Sequence, residues 1–393
     1  MMRRTLLALA LVTVLLPGRA PAQGKKGAAA PAGPDMDYLV FIGSEATDEV
    51  ALVRFGPKGA KVERVNAVGM MPSDPDGPHG VGVSADGRSY YVSTAHGVPF
   101  GYLWKYSAVG DTALGRVELG MFPATLQASP DGAFVYVANF NLHGEMVPSS
   151  VSVVAADEMI EVARITTCMM PHGSRLNPQG TKHYSACMMD ETVVEIDTRT
   201  LAVSRHFMVT KGREHGMAGA PTAGGHGEHD MGGHGLEQPK GPDQTTCSPT
   251  WAQPSADGSK VYVACNRTSD IVEVDVQDWT MTRRIPTGNG VYNLAVTRDG
   301  KYLLGTNKRD QSVSVIDLAS GKEAARIKTK RKVVHGLAVS PDNRYAFVSV
   351  EGIGAEPGTL EVIDLRRLES VAQVDVGQMA GGIDFWKMEA PAP

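Results

Sequence analysis

Short runs in which apolar and polar residues alternate recur along most of the chain, with Val81 and Val83 before one turn and Tyr91 after it. Period two marks strands with one covered face, and runs this short, parted by glycine-containing turns, predict β-hairpins rather than helices. The turns themselves share a pattern. Ser84-Ala85-Asp86-Gly87, Ser129-Pro130-Asp131-Gly132 and Ser255-Ala256-Asp257-Gly258 all read Ser-x-Asp-Gly. Asn177-Pro178-Gln179-Gly180, Thr297-Arg298-Asp299-Gly300 and Ser340-Pro341-Asp342-Asn343 are close variants. Their third residues lie 45, 48, 78, 42 and 43 positions apart, and an insertion from about Lys211 to Gln244 explains the one long gap.

A third strand in several repeats closes on Asp, at Val194-Glu195-Ile196-Asp197, Val272-Glu273-Val274-Asp275, Val315-Ile316-Asp317 and Val362-Ile363-Asp364; a fourth follows, as at Ala325-Arg326-Ile327. Four short strands every 42 to 48 residues give the period of a β-propeller blade, so the predicted class is all-β. Six blades carry the turn. The N-terminal part adds strands around Tyr38–Ile42, Val50–Phe55 and Val62–Val68 but no innermost one, and the C-terminal part adds a lone strand at Gly382–Trp386. Combining them predicts a seventh four-stranded antiparallel blade that closes the ring and removes open sheet edges. The domain then spans residues 37–387, with a short tail at 388–393.

At "FVYVANFN" (134–141) and "VYVACNRT" (261–268) the second strand of the blade resembles the YVTN repeat, and the chain is similar to the YncE-like members of that family. A more distant similarity reaches the propeller domains of nitrous oxide reductase and of cytochrome cd1. The resemblance implies the fold and leaves the chemistry open, because propellers host unrelated activities.

Composition adds an address. Arg3 and Arg4 precede an apolar run from Leu6 to Leu16, and Ala20-Pro21-Ala22 offers the small residues of a cleavage site, so residues 1–22 read as a secretory signal peptide. Residues 23–36 read as a flexible leader. Cleavage removes three arginines and takes the formal charge from -5 to -8, which repels nucleic acid and anionic lipid. The expected product is a periplasmic or secreted monomer without membrane insertion, its partner a protein or small ligand on one face of the disc.

Candidate chemistry gathers there. Pro78-His79-Gly80, Pro171-His172-Gly173 and Val334-His335-Gly336 each sit seven residues before a turn, at the predicted start of an innermost strand. Ala124, Thr250, Tyr292 and Gly381 hold the equivalent positions. His79, His172 and His335 are therefore expected to face a common axis, either as strand-opening residues bonding neighbouring carbonyls or as ligands of copper or another transition metal. Few carboxylates are expected beside them, which disfavours calcium. The resemblance to nitrous oxide reductase, where channel histidines hold a copper-sulfide cluster, points the same way, although no electron-transfer copper domain follows here.

The insertion, "HGMAGAPTAGGHGEHDMGGHG" at 215–235, supplies His215, Met217, His226, His229, Met231 and His234 and little that could build a core. It is expected to lack structure without a ligand and to emerge on the histidine face, where His and Met together favour copper. Cys168 and Cys187, and Cys247 and Cys265, recur in one frame, 19 and 18 residues apart. Two intra-blade disulfides are expected, with a soft-metal site around "CMMPH" and "ACMM" as the rival. Longer loops add His96, residues 141–146, Glu351 and Glu356. No nucleophile elbow, phosphate loop or c-type haem motif occurs, so enzyme status stays open. A lactonase-like hydrolase or a haem d1 or other cofactor carrier on the same face are the alternatives to a binding or scaffold protein.

Overall fold

The computed structural model describes residues 33–70, 75–96, 100–221 and 246–391. The proposed signal peptide lies outside them. Among the described residues, strands dominate and hydrogen-bond into six sheets, five of four strands and one of nine. Within each four-stranded unit the strands pair antiparallel from innermost to outermost, in chain order except in one unit, whose innermost strand is the last of the chain. The nine-stranded sheet contains two such meanders joined by one parallel contact, Gly173 with Trp251. No helix among the described residues is long and apolar enough to cross a membrane.

The innermost strands are Pro78–Val83, Pro123–Ala128, Pro171–Leu176, Pro249–Pro254, Val291–Val296, Val334–Val339 and Ala380–Glu389. Each packs against the next, and the last against the first. The N-terminal strand Asp37–Ser44 pairs on one edge with Glu49–Gly56 and on the other with Ala380–Glu389. The hydrophobic pattern predicts a closing strand at 382–386 and a tail from 388. The observed strand is longer, because Met388 and Glu389 still pair with Tyr38 and Asp37.

Burial explains the hydrophobic pattern. Second and third strands are covered on both faces, so Ser89–Thr94 and Ser150–Ala155 are buried almost throughout, while outermost strands such as Ile160–Thr166 alternate. The core therefore sits between neighbouring sheets. Tyr38, Phe55, Tyr345, Phe347 and Ile383 form one such layer, and Tyr184, Phe207, Val263 and Trp279 another. Each large apolar side chain buried in these layers contributes roughly 1.5–3 kcal/mol.

The recurrent turn works through its serine and aspartate. Ser84, Ser129, Ser255 and Ser340 each donate to the aspartate two positions on. Those aspartates accept the backbone N–H two residues further. The fourth turn residue takes a left-handed φ, between 60° and 79° at Gly87, Gly132, Gly258 and Asn343, which selects glycine or asparagine.

Both expected disulfides form, Cys168–Cys187 and Cys247–Cys265, leaving no free thiol. The rival soft-metal site is thereby excluded: its thiolates are consumed. The insertion also departs from expectation where it is described. His215–Ala218 adds a fifth strand to the outer edge of its sheet, paired with Ala202–Met208. Backbone pairing, a His206–Gly219 hydrogen bond and a Glu214–Arg284 ion pair hold it without any apolar core.

Candidate functional site

The second residues of the innermost strands share one register position, in the order Gly381, His79, Ala124, His172, Thr250, Tyr292, His335, and the rings of His79, His172, Tyr292 and His335 meet there. Their positions come from a backbone unit that recurs seven times among the described residues. Two residues before each of them the chain is left-handed, at Met379, Gly77, Phe122, Met170, Ser248, Gly290 and Val333. The carbonyls of those seven residues accept hydrogen bonds from the amides of Glu45, Ala95, Phe140, Met188, Asn266, Lys308 and Glu351, respectively. Those amides belong to the residue just past each second strand. One unit thus builds two rings at the same end of the channel, here termed the top.

The glycine after each histidine has a steric cause. A Cβ on Gly80 would lie 2.1 Å from the Ala124 carbonyl oxygen, one on Gly173 2.4 Å from that of Thr250, and one on Gly336 2.5 Å from that of Gly381. Innermost strands pass too closely there for any side chain. Hydroxyls of preceding sheets anchor the ring: Thr125 donates to the His172 carbonyl and Thr306 to that of His335.

The three histidines meet across the mouth as expected. The His79 ring lies 5.8 Å from that of His172 and 5.7 Å from that of His335. All are buried, at 8, 0 and 5 % exposure. Their nitrogens differ sharply in availability. His172 Nδ1 donates to the Thr250 carbonyl at 3.0 Å, and Nε2 accepts from the Tyr292 hydroxyl at 3.1 Å. Both of its nitrogens are engaged. His79 Nδ1 donates to Glu45 Oε1 at 2.6 Å, but its Nε2 is buried without a partner. His335 Nδ1 is likewise unpartnered, and its Nε2 lies 3.7 Å from Glu351 Oε1, too far for a hydrogen bond.

Beside the loop residue Glu351, Glu45 and Lys308 also stand here, so the expectation of a carboxylate-poor setting fails. Glu45 lies in the turn after Asp37–Ser44 and also meets His96 Nε2 at 3.4 Å. Burial opposes its ionisation, but attraction to His79 and hydrogen bonds from His79 and His96 hold the carboxyl well below its usual range. His96 is raised, chiefly by that hydrogen bond. Lys308 pairs with Glu351 at 2.8 Å and sits 4.4 Å from the Tyr292 ring centre. Burial would neutralise the lysine, yet Tyr292 and Glu351 prevail and raise it. Burial and the nearby His79 push His172 down to about 3, while burial, Lys308 and His79 keep His335 well below 6.5. These two imidazoles are neutral at physiological pH.

Below the histidines the channel narrows to a cavity of about 20 Å³ lined by His79, Trp251, Asn293, His335 and Gly381. That is space for roughly one water. Trp251 Nε1 and Asn293 Oδ1 also lack partners there. Among the described residues no group of three or more His, Cys, Asp or Glu side chains is assembled as a metal site. His215 and Met217 stand on the fifth strand, about 19 Å outward at ~4.8 Å per strand, away from the channel. His226, His229, Met231 and His234 lie outside the described residues.

Solved structures share this arrangement of sheets. The periplasmic gluconolactonase PpgL of Pseudomonas aeruginosa aligns with TM-score 0.66 at 16% identity, over 90% of this chain and 100% of its own. Hydrazine synthase of Kuenenia stuttgartiensis gives 0.59 at 19%, over 79% and 91%. The dihydro-heme d1 dehydrogenase NirN, solved in complex with DHE, gives 0.55 at 17%, over 92% and 79%. The chain has the β-propeller fold. At these identities the likeness carries the fold alone. No family model matches the sequence, and no curated protein does either.

Proposed function

We propose that this chain is an exported, ring-closed propeller of seven blades that binds a transition-metal ion, copper foremost, at the top of its channel. The blade count follows from reading the nine-stranded sheet as two blades plus the edge strand, and the sevenfold backbone unit supports it. Two disulfides and the apolar N-terminal run support export.

One observation carries the metal reading: His79 Nε2 and His335 Nδ1 are buried, lack partners and belong to rings 5.7 Å apart. An unpaired buried imidazole nitrogen is costly unless something ligates it. Imidazole suits copper, and the hydrogen bond from His79 to a carboxylate is the usual support of a ligating histidine. His172, with both nitrogens engaged, is assigned to positioning rather than ligation. The His and Met residues of the insertion form a separate, looser set under this reading. The bound metal would supply Lewis-acid or redox chemistry; the chain's own contribution is to hold His79 in one tautomer through Glu45 and to exclude bulk water.

A hydrolase reading rests on the same Glu45–His79 pair, which could orient a general base. The one-water cavity favours an ion over a lactone ring, because organic-ligand pockets run to roughly 300–1,000 Å³. Elemental analysis of untagged protein, with calorimetric copper titration, tests the proposal. One tight copper per chain is expected, lost in the His79→Ala/His335→Ala double variant. Turnover of lactones or aryl esters by metal-free protein would favour the hydrolase instead.

A further inference from the structure

The opposite end of the channel has different chemistry. Where the innermost strands finish, a cavity of about 170 Å³ is lined by Arg175, Gln253, Arg298, Asp384 and the apolar residues around Val296, Val339 and Phe385. Arg175 comes from the same strand as His172, three residues further down. Its guanidinium lies 4.5 Å from the centre of the Trp251 ring and donates one hydrogen bond, to the carbonyl of its own neighbour Ser174. A guanidinium carries five N–H donors, so most of this one's capacity is left for the cavity. Arg298 stands exposed at the rim, and its side chain makes no hydrogen bond among the described residues. Asp384 is committed elsewhere: its oxygens accept the amides of Val83 and Phe385, both at 2.8 Å.

We propose that this lower cavity is a binding site for a small organic monocarboxylate, with the carboxylate on Arg175 and Arg298 and a short apolar tail among Val296, Val339 and Phe385. Charge fixes the valence. Two guanidiniums against one committed carboxylate leave a single positive charge, which one anionic group balances and a doubly charged phosphate exceeds. The walls fix the rest, being mostly polar with an apolar stretch at Val296, Val339 and Phe385. A planar carboxylate matches the guanidinium fork, which sits over an indole. The volume lies below that of sites for drug-sized ligands, roughly 300–1,000 Å³, and suits an acid of a few carbons. Burial pulls Arg175 down only to about 10, so it remains a cation at neutral pH. The proposal requires no metal at the top, although Arg175 also lines the small cavity beneath the histidines.

Because Trp251 lies under Arg175, its fluorescence reports occupancy, and Trp251→Phe assigns the signal among the four tryptophans. The full chain is titrated with butyrate, neutral butyramide and inorganic phosphate. Saturable change with butyrate is expected, with butyramide and phosphate at least about tenfold weaker, as befits a charged hydrogen bond. Arg175→Gln should weaken butyrate about tenfold or more, and the exposed Arg298→Gln about threefold without disturbing the fold. Equal binding of butyramide, or butyrate binding unchanged in both variants, overturns the site. Phosphate binding as tightly as butyrate overturns the monocarboxylate assignment. The wild-type comparison of butyrate with butyramide decides the matter even where Arg175→Gln fails to fold.

Discussion

The two ends of the channel are built from the same seven strands and differ in almost everything else. At the top the backbone is held by left-handed residues and seven repeated hydrogen bonds, and the side chains are imidazole, carboxylate and ammonium in close mutual contact. At the bottom Arg175 stacks on Trp251 among apolar neighbours. The top is also where the sheets are reinforced. Cys187 and Cys265 pair with Pro171 and Pro249 at the start of their innermost strands, where other blades use Asn139 and Asn307 to bridge serines. The proposed metal site thus falls where the backbone carries the repeated hydrogen-bonded unit. A recurrent scaffold supplies the positions, and the residue at each position supplies the property.

The largest effect in this contrast should come from the staples. Replacing both cysteines of either pair by alanine closes no loop of ~20 residues in the unfolded chain, and should cost roughly 3 kcal/mol per bridge. Denaturant titration checks it, and a loss under 1 kcal/mol would mean that the top needs no reinforcement. Next, Glu45→Gln removes the anion that holds His79 and should weaken copper about 10–100-fold. Butyrate affinity at the bottom should not move in that variant, and a parallel loss there would show that the two ends are coupled.

Acid should act through buried neutral histidines. His183, stacked on Tyr136, is pushed by burial and then by the nearby Arg175 down to about 3. Below its unfolded value of ~6.5 the unfolded chain binds a proton that the folded chain refuses, so stability falls with pH down to about 3, at ~1.4 kcal/mol per unit. His183→Phe should flatten the acid limb of the stability profile by about one proton. An unchanged slope would contradict the buried neutral state. The smallest effect is expected at Val333, a β-branched residue at φ 65°. Val333→Gly should gain about 0.5–1 kcal/mol in thermal unfolding, the strain relieved outweighing the entropy glycine adds to the unfolded chain; a loss would show that the valine packs usefully.

Much of this was legible in the sequence, for identifiable reasons. Turn spacing and period-two runs located the blades because Ser-x-Asp-Gly turns and doubly covered strands impose them. His79, His172 and His335 were placed by their common register seven residues before a turn. Glu45, Lys308 and Glu351 form the second ring by an equally regular rule, the residue just past each second strand. In the sequence Glu351 reads only as part of a loop on the histidine face, and no motif marks Glu45 or Lys308. The unequal availability of the histidine nitrogens was not readable, since it depends on Tyr292 and Thr250 from other sheets. The strand His215–Ala218 escaped because backbone pairing to a sheet edge leaves no hydrophobic signature.

The central claim is that a metal ion sits between His79 and His335. Anomalous diffraction at the copper absorption edge, from crystals of untagged protein grown with one equivalent of copper, tests it directly. The account predicts a single strong peak within bonding distance of His79 Nε2 and His335 Nδ1, with His172 still bonded to Tyr292 and Thr250. A fully occupied peak elsewhere with none at these two nitrogens, or a mouth without copper whose histidines bind only water, would contradict it.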